Sequence, residues 1–303
     1  MIDPVVVVAG EALVDLALQR DGALAALVGG GPFNAARAVA RLGQSTVFIG
    51  RVSNDRLGRQ IAEALAADRV VLDQRLRTER PTSLAMAELD ADGAASYRFY
   101  VGGTSAEQLE PSLALEVLPQ SVAGLYVGGL GLVLKPLADA VEALADRLAG
   151  TALVMVDPNV RPAMIVDMPA YAARLQRIVH RADVVKVSED DLLVLSPGVP
   201  AQEAARALLA QGPRLVLLTL GAEGAIAFGA FGARSVTAPK VEVVDTIGAG
   251  DTFSGAWLAR WLQLERPLDD AEAVSEATTF ACRAAALSCT RRGASPPTLA
   301  QLS

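Results

Sequence analysis

The sequence predicts an α/β fold, a doubly wound and mostly parallel sheet with a small β lid attached. Three features point there. Continuous apolar, β-branched runs such as Val5–Ala9 recur along the chain, the pattern of strands buried on both faces. Between them lie stretches with apolar residues at helical spacing and charges between, as in residues 56–67, RLGRQIAEALAA. Strands and helices that alternate in this way build a parallel sheet with crossover helices. The third feature breaks the alternation. Residues 82–101, TSLAMAELDADGAASYRFYV, form two period-two runs around Asp90-Ala91-Asp92-Gly93, which signals a hairpin inserted into an α/β chain.

At 303 residues, with 52% hydrophobic and 20% charged residues, the chain is globular and long enough for a full-sized core. No low-complexity linker or internal repeat divides it. A net charge of -7 favours neither nucleic acid nor an anionic membrane as a partner, so a negative substrate needs a local positive site. No apolar run approaches the ~18 residues of a membrane span, and residues 1–4 lack the basic start of a signal peptide. The expected location is the cytoplasm. The two cysteines, Cys282 and Cys289, lie seven apart in one helical stretch and read as small buried residues without a disulfide. His180 is the only histidine, which excludes a His-clustered metal site; it falls near a helix end.

In chain order, the first strand runs into Gly10-Glu11-Ala12-Leu13-Val14-Asp15, which puts Asp15 where ligands bind in open α/β sheets, beyond a strand's carboxyl end. A solvated loop acid is the plainer reading of Asp15 alone. Gly29-Gly30-Gly31-Pro32-Phe33-Asn34 then opens a helix. Its glycines let a substrate lie on the backbone, and Asn34 can donate to and accept from a hydroxyl, or simply cap. Residues 45–52 are a second buried strand. In the inserted hairpin, Arg98 and Tyr100 share one face by period two, as ligand contacts or as an exposed amphipathic face.

Further strands follow at residues 124–130, 152–157, 184–188, 215–219 and 225–230, with helices between the earlier ones. Three of their ends carry chemistry. In Asp157-Pro158-Asn159-Val160-Arg161, the arginine can clamp an anion or pair with Asp157. Ser188-Glu189-Asp190-Asp191 is a helix start with an N-cap serine and acids in the first turn. Thr219-Leu220-Gly221-Ala222-Glu223-Gly224 is a glycine-bearing turn.

The most informative stretch is residues 243–262, VVDTIGAGDTFSGAWLARWL. An apolar β-branched run, expected as a strand, ends at Asp245-Thr246, and a Gly248-Ala249-Gly250 turn then opens a helix. Such a turn gathers backbone amides into a concave nest at a helix N-terminus, a site suited to phosphate. A carboxylate on Asp251 would repel a phosphate bound there. Its position makes sense as a base that takes a proton from a second reactant while amides of residues 247–250 hold the phosphoryl group. Capping of its own helix is the alternative.

These stretches together resemble the ribokinase-like carbohydrate kinases, the PfkB family, over essentially the whole chain, and most nearly its fructokinases. Asp245, Thr246, Gly248, Ala249, Gly250, Asp251, Phe253 and Gly255 match the signature DTxGAGDxFxxG. Residues 29–34 are similar to GGxxxN, GEALVDL to the fructokinase opening, 157–161 to DPNxR, and 219–224 to TLGxxG. Ser188 to Asp191 are similar to NxxE, with the acid one methylene shorter. Residues 53–58 resemble GDDxxG, with Ser53 and Asn54 replacing its first two residues and Asp55 and Gly58 kept. Phe33 departs from the small residue usual in fructokinases and leaves the exact sugar open.

The resemblance implies a single ribokinase-like α/β domain over residues 1–303, with a lid from insertions at about 12–30 and 81–103. It implies ATP-dependent transfer of the γ-phosphoryl group to a primary hydroxyl of a sugar, with fructose expected. Asp251 would be the catalytic base, with Gly248, Ala249 and Gly250 as the nest. The sugar would meet Asp15, Gly29, Gly30, Asn34, Arg98, Tyr100 and Arg161. ATP would meet Ser188, Thr219, Gly221, Gly224, Gly248 and Gly250. Asp191 would hold magnesium through water, and Asp245, Ile247, Ser288, Arg291 and Gly293 would surround a monovalent cation such as potassium. The lid implies a homodimer. A 2-keto-3-deoxygluconate kinase, with Arg98, Tyr100 and Arg161 on the carboxylate, a nucleoside kinase, and a sugar-binding regulator without turnover remain as alternatives.

Overall fold

The structure, a computed structural model, describes residues 4–18, 24–89 and 95–302. Its centre is a nine-stranded sheet. From one edge the strands are Gly232–Val236, Ala225–Gly229, Leu215–Thr219, Val184–Ser188, Leu153–Asp157, Val122–Gly128, Val5–Ala9, Thr46–Ile49 and Val70–Leu72. Every pairing from Leu215–Thr219 to Val70–Leu72 is parallel, and the first two strands are antiparallel. The chain begins in Val5–Ala9, winds outward to Val70–Leu72, then crosses back to Val122–Gly128 and winds the other way. The switch point of a doubly wound sheet, where ligands bind at strand carboxyl ends, therefore lies beside Gly10 and Gly128.

The first strand explains its own apolar run. Val7 and Ala9 belong to the core on one side of the sheet, and Val6 and Val8 to the core on the other. Helices Leu137–Leu148, Met168–Val179 and Ala201–Leu209 cover the first side. Helices Gly31–Arg41, Arg56–Ala67, Ala249–Leu264 and Ala271–Ser288 cover the second. Helix Ala249–Leu264 is apolar nearly all round because it lies between the sheet and its neighbours. Trp257 stacks on Trp261 at 5.1 Å and donates to Thr278 Oγ1 across the helix pair. Gly255 lets this helix approach Gly31–Arg41 closely, since a Cβ there would stand 2.7 Å from that of Ala38.

A second sheet of four strands runs Leu24–Gly29, Leu13–Leu18, Leu84–Leu89, Ala95–Tyr100. The last two are the hairpin expected from alternation; its turn, Asp90 to Gly93, lies outside the described residues. The strand expected ahead of Asp245 is corrected. Residues 237–243 form none, and Val243 and Val244 are 59% and 54% exposed. The backbone of this run is used elsewhere: Val244 N and Asp245 N donate to the Cys289 carbonyl, just after helix Ala271–Ser288, at 2.8 and 3.1 Å, rather than to a strand. Among the described residues no helix is long and apolar enough to cross a membrane.

Candidate active site

The site forms where the carboxyl ends of the parallel strands meet the start of helix Ala249–Leu264. Gly248 precedes that helix with φ 75, in the left-handed region where glycine is favoured, and turns the chain into it. Of the four nest amides, two are already used: Ile247 N donates to Asp245 Oδ1 at 3.0 Å, and Ala249 N to the Thr246 carbonyl at 3.2 Å. That narrows the expected cradle to Gly248 and Gly250, whose N–H groups have no intrahelical partner at a helix start.

Asp251 does not cap its own helix. Its side chain is buried, 7% exposed, and accepts from Asn34 Nδ2 at 2.9 Å and Asn159 Nδ2 at 3.3 Å. Two amides from distant segments thus aim one carboxylate, and the capping reading falls. Burial pushes the Asp251 carboxyl up to about 7; the Asn34 bond, Lys186 and Arg161 oppose the rise and Asp157 adds to it. A carboxyl that titrates near neutrality is suited to general-base work.

Asn34 is positioned because its helix begins at the Gly30 turn, where Asn34 N donates to the Gly30 carbonyl at 2.9 Å. Asn34 Oδ1 is buried without a protein partner. Phe33 points away from this chemistry into the core, under the Arg37 guanidinium. Gly29 leaves the room Asp15 occupies, since a Cβ there would lie 2.2 Å from Asp15 Oδ2. Burial pushes the Asp15 carboxyl up to about 6, opposed by Arg161. Arg161, exposed, thus acts on both Asp15 and Asp251.

Strand register corrects the hairpin residues. Asp15 pairs with Ala85, which pairs with Phe99, so these three share a face of the second sheet. Arg98 pairs with Met86, which lies opposite Leu16, and Tyr100 with Leu84, which lies opposite Val14. Arg98 and Tyr100 do share a face, but it is the one opposite Asp15, because adjacent residues of a strand point to opposite sides. They are removed from the set that can meet one ligand with Asp15.

Ser188 and Asp191 form a capping box. Asp191 Oδ2 accepts from Ser188 N and Oγ, Ser188 Oγ accepts from Asp191 N, and Asp191 Oδ1 accepts from Val160 N at 2.7 Å. Three donors leave that carboxylate about one lone pair. Thr219 lies opposite Ser188 on the adjacent strand, its hydroxyl on the Val187 carbonyl. Gly221 has open space around its Cα, whereas Gly224 closes the turn into the next strand by accepting from Leu220 N. Among the described residues no group of three His, Cys, Asp or Glu side chains is placed to hold a metal ion.

Asp245 ties two loops together, since its Oδ2 accepts from Gly293 N at 2.8 Å while Oδ1 takes Ile247 N. This brings Asp245, Ile247 and Gly293 together. The carbonyls of Ile247, Arg291 and Gly293 accept no backbone hydrogen bond among the described residues, while that of Ser288 accepts from Arg291 N.

Four functional positions escape the sequence reading although each stands inside a quoted stretch or a predicted strand. Glu11 is buried, with its oxygens on Gly31 N and Gly131 N at 3.2 and 3.0 Å, and burial pushes its carboxyl up to about 7. Asn159, with φ 41, holds Asp251. Asp157 and Lys186 form a buried ion pair at 3.1 Å. A hydrophilic residue at or just after the end of a buried strand is the available signal for Glu11, Asp157 and Asn159.

Comparison with known proteins agrees with this geometry. Residues 4–301 match the family model described as pfkB family carbohydrate kinase. A fructokinase from Rhizobium leguminosarum bv. trifolii is 36% identical over 255 residues, 82% of this chain and 77% of that one. The structure of a Xylella fastidiosa fructokinase with bound ATP superposes with a TM-score of 0.88 at 27% identity, covering 98% of this chain and 96% of the other. A Vibrio cholerae O395 fructokinase double mutant in its fructose, ADP and potassium ion bound form gives 0.88 at 29%, covering 99% and 97%.

Proposed function

The chain belongs to the pfkB family of carbohydrate kinases and is an ATP-dependent sugar kinase, and from that premise we propose that it phosphorylates a primary hydroxyl of fructose with Asp251 as the base. The observation that carries the mechanism is the buried Asp251 carboxylate, held by Asn34 and Asn159 beside the open amides of Gly248 and Gly250. In this reading the sugar lies on Gly29 and Gly30 with hydroxyls on Asp15, Asn34 and Arg161. Asp251 takes the proton of the attacking hydroxyl, and the Gly248 and Gly250 amides meet the charge on the transferring group. ATP lies along Ser188, Thr219, Gly221 and Gly224.

Magnesium, bound with ATP, neutralises phosphate charge; Asp191 is the residue here that would hold it, through water and its one remaining lone pair. The loop pair joined by Asp245 would hold a monovalent cation on the carbonyls of Ile247, Arg291 and Gly293; Asp245 and Ser288 would shape that loop. A cytoplasmic location is part of the same reading, supported by the free thiols of Cys282 and Cys289.

Fructose rests on the named relatives and on Asp15 in GEALVDL. The removal of Arg98 and Tyr100 from the Asp15 face weakens the sugar-acid alternative. With ATP and magnesium, kcat/KM should be higher for fructose than for ribose, adenosine or 2-keto-3-deoxygluconate. Asp15→Ala should raise KM for fructose far more than it lowers kcat, because it removes contacts made in ground and transition states alike. A sugar acid turned over faster than fructose would replace this substrate.

The second sheet is the lid of this reading, with the Asp15 face toward the sugar. Its opposite face carries Leu24, 56% exposed, and Tyr100, 48% exposed. Val14 and Leu84 of that face pack into the core, and its outer part, where Leu24 and Tyr100 are exposed, would be buried by the matching patch of a second copy of the chain. A dimer is expected by light scattering at micromolar protein, dissociated by Leu24→Asp with Tyr100→Asp; a monomeric wild type removes this assembly.

A further inference from the structure

An acidic chain that handles a nucleotide and an ionised base needs positive charge at its site. This one contains only three lysines, Lys135, Lys186 and Lys240. Lys186 is buried inside the site. Its Nζ lies 3.1 Å and 3.2 Å from the two oxygens of Asp157, itself fully buried. Asp157 also accepts from Ser254 Oγ at 2.9 Å and Tyr126 Oη at 3.3 Å, so the carboxylate that anchors the ammonium is itself held by two hydroxyls. Gly250, the second nest glycine, makes room for the lysine, since a Cβ there would stand 3.2 Å from Lys186 Nζ. The ammonium therefore rests against the nest from within the protein.

Buried ion pairs usually add little stability, because desolvation offsets the attraction. A pair kept next to a catalytic carboxylate calls for another reason. The charged and titratable groups that act on Asp251 are Asp157 and Arg161 from the segment at the end of Leu153–Asp157, Lys186 from Val184–Ser188, Glu11 after Val5–Ala9, and Tyr126 from Val122–Gly128. The amides of Asn34 and Asn159 complete its surroundings. Lys186 also lies near Asp191. Of the two cations Arg161 is exposed, which leaves Lys186 as the one shielded from solvent screening.

We propose that Lys186, anchored by Asp157 beneath Gly250, is a positioning residue of the transfer site: it supplies the fixed positive charge that keeps Asp251 an ionised base among neighbouring carboxylates. This rests on the phosphotransfer reading of Asp251, and it assigns the lysine a task beyond countering Asp157. Lys186 is drawn toward its charged form by Asp157, Asp191 and Asp251, against the opposing effect of its burial.

The test compares Asp157→Asn, which keeps the lysine, with the double variant Asp157→Asn/Lys186→Met, which removes it without leaving a buried charge alone. A second double variant, Asp157→Asn/Lys186→Arg, restores the charge. Carboxyl carbons of aspartate labelled with 13C report the Asp251 titration directly, identified by its loss in Asp251→Asn. Asp251 should titrate about one unit higher in Asp157→Asn/Lys186→Met than in Asp157→Asn, as expected on losing a close opposite charge. The arginine variant should return it. The acid limb of kcat should move in step, with the KM for sugar little changed. Equal titrations in the single and the methionine double variant would overturn the proposal and leave a purely structural pair. If wild-type protein phosphorylates no sugar, the kinase reading fails while the carboxyl titration still decides this one. Should the methionine variant not fold, Asp157→Asn/Lys186→Gln, which keeps a polar side chain at the same place without the charge, takes its place in the same comparison: a higher Asp251 titration than in Asp157→Asn supports the proposal, and an equal one overturns it.

Discussion

Asp251→Asn should lower kcat by about 10²–10⁴, the usual contribution of a general base, while making the folded protein more stable above neutral pH. The two effects share one cause. The Asp251 carboxyl titrates at about 7 when folded against an ordinary value of 3.8, chiefly through burial. A carboxyl raised on folding holds its proton longer in the folded state than in the unfolded one. The burial of its charge costs nothing below about pH 4, grows as pH rises from about 4 to about 7, and is complete above that. Each pKa unit corresponds to about 1.4 kcal/mol. After allowance for weaker bonds from Asn34 and Asn159 to an amide, asparagine should stabilise by on the order of 2 kcal/mol at about pH 8. The gain should vanish near about pH 4. Wild-type kcat should rise with pH through about 7, as Asp251 ionises. Melting curves and kcat across pH measure all three. A near-wild-type kcat for Asp251→Asn would leave the enzyme without its base.

Gly248→Ala should be nearly as damaging by a different route. Gly248 sits at φ 75, and its Cβ would meet that of Ala294 at 2.6 Å. Left-handed backbone costs a non-glycine residue about 1–2 kcal/mol. The clash pushes residues 245–248 away from the loop that Asp245 ties to Gly293. The nest then loses its open amides, and one lost donor of this kind typically costs about 10²–10³ in kcat. Stability should fall by about 1–3 kcal/mol, in contrast to the stabilising Asp251→Asn. A variant with wild-type kcat would show that the Gly248 amide does not meet the transferring group.

The same burial acts on Glu11 and Asp15, whose carboxyls stand at about 7 and 6. Three raised carboxyls in one cleft mean that the site as a whole is held against its own solvation. Such a cost is carried where chemistry is done and is supported by the packing around it. Here that support is the sheet with a core on each face and the close crossing at Gly255.

Local pattern determined a good deal by itself. Val5–Ala9 had to be a strand buried on both sides, because five apolar residues without alternation have no solvent face. The hairpin around residues 90–93 followed from period two, and the helix after Gly250 from its composition. The Gly248-Ala249-Gly250 turn with Asp251 pointed to phosphoryl transfer with capping as the alternative, and the longer match to DTxGAGDxFxxG favoured the transfer. Tertiary structure alone decided what depends on distant segments. Whether Asp251 caps its own helix or faces the site turned on Asn34 and Asn159, 217 and 92 residues away. Period two put Arg98 and Tyr100 on one face. Which face carries Asp15 is a matter of register between strands far apart in the chain, which no local pattern encodes. The expected strand before Asp245 failed for a similar reason: its backbone donors go to the Cys289 carbonyl, on a segment far along the chain, and not to the sheet. Lys186 and Asp157 each lie in an ordinary buried strand, and their pairing exists only because two parallel strands lie side by side.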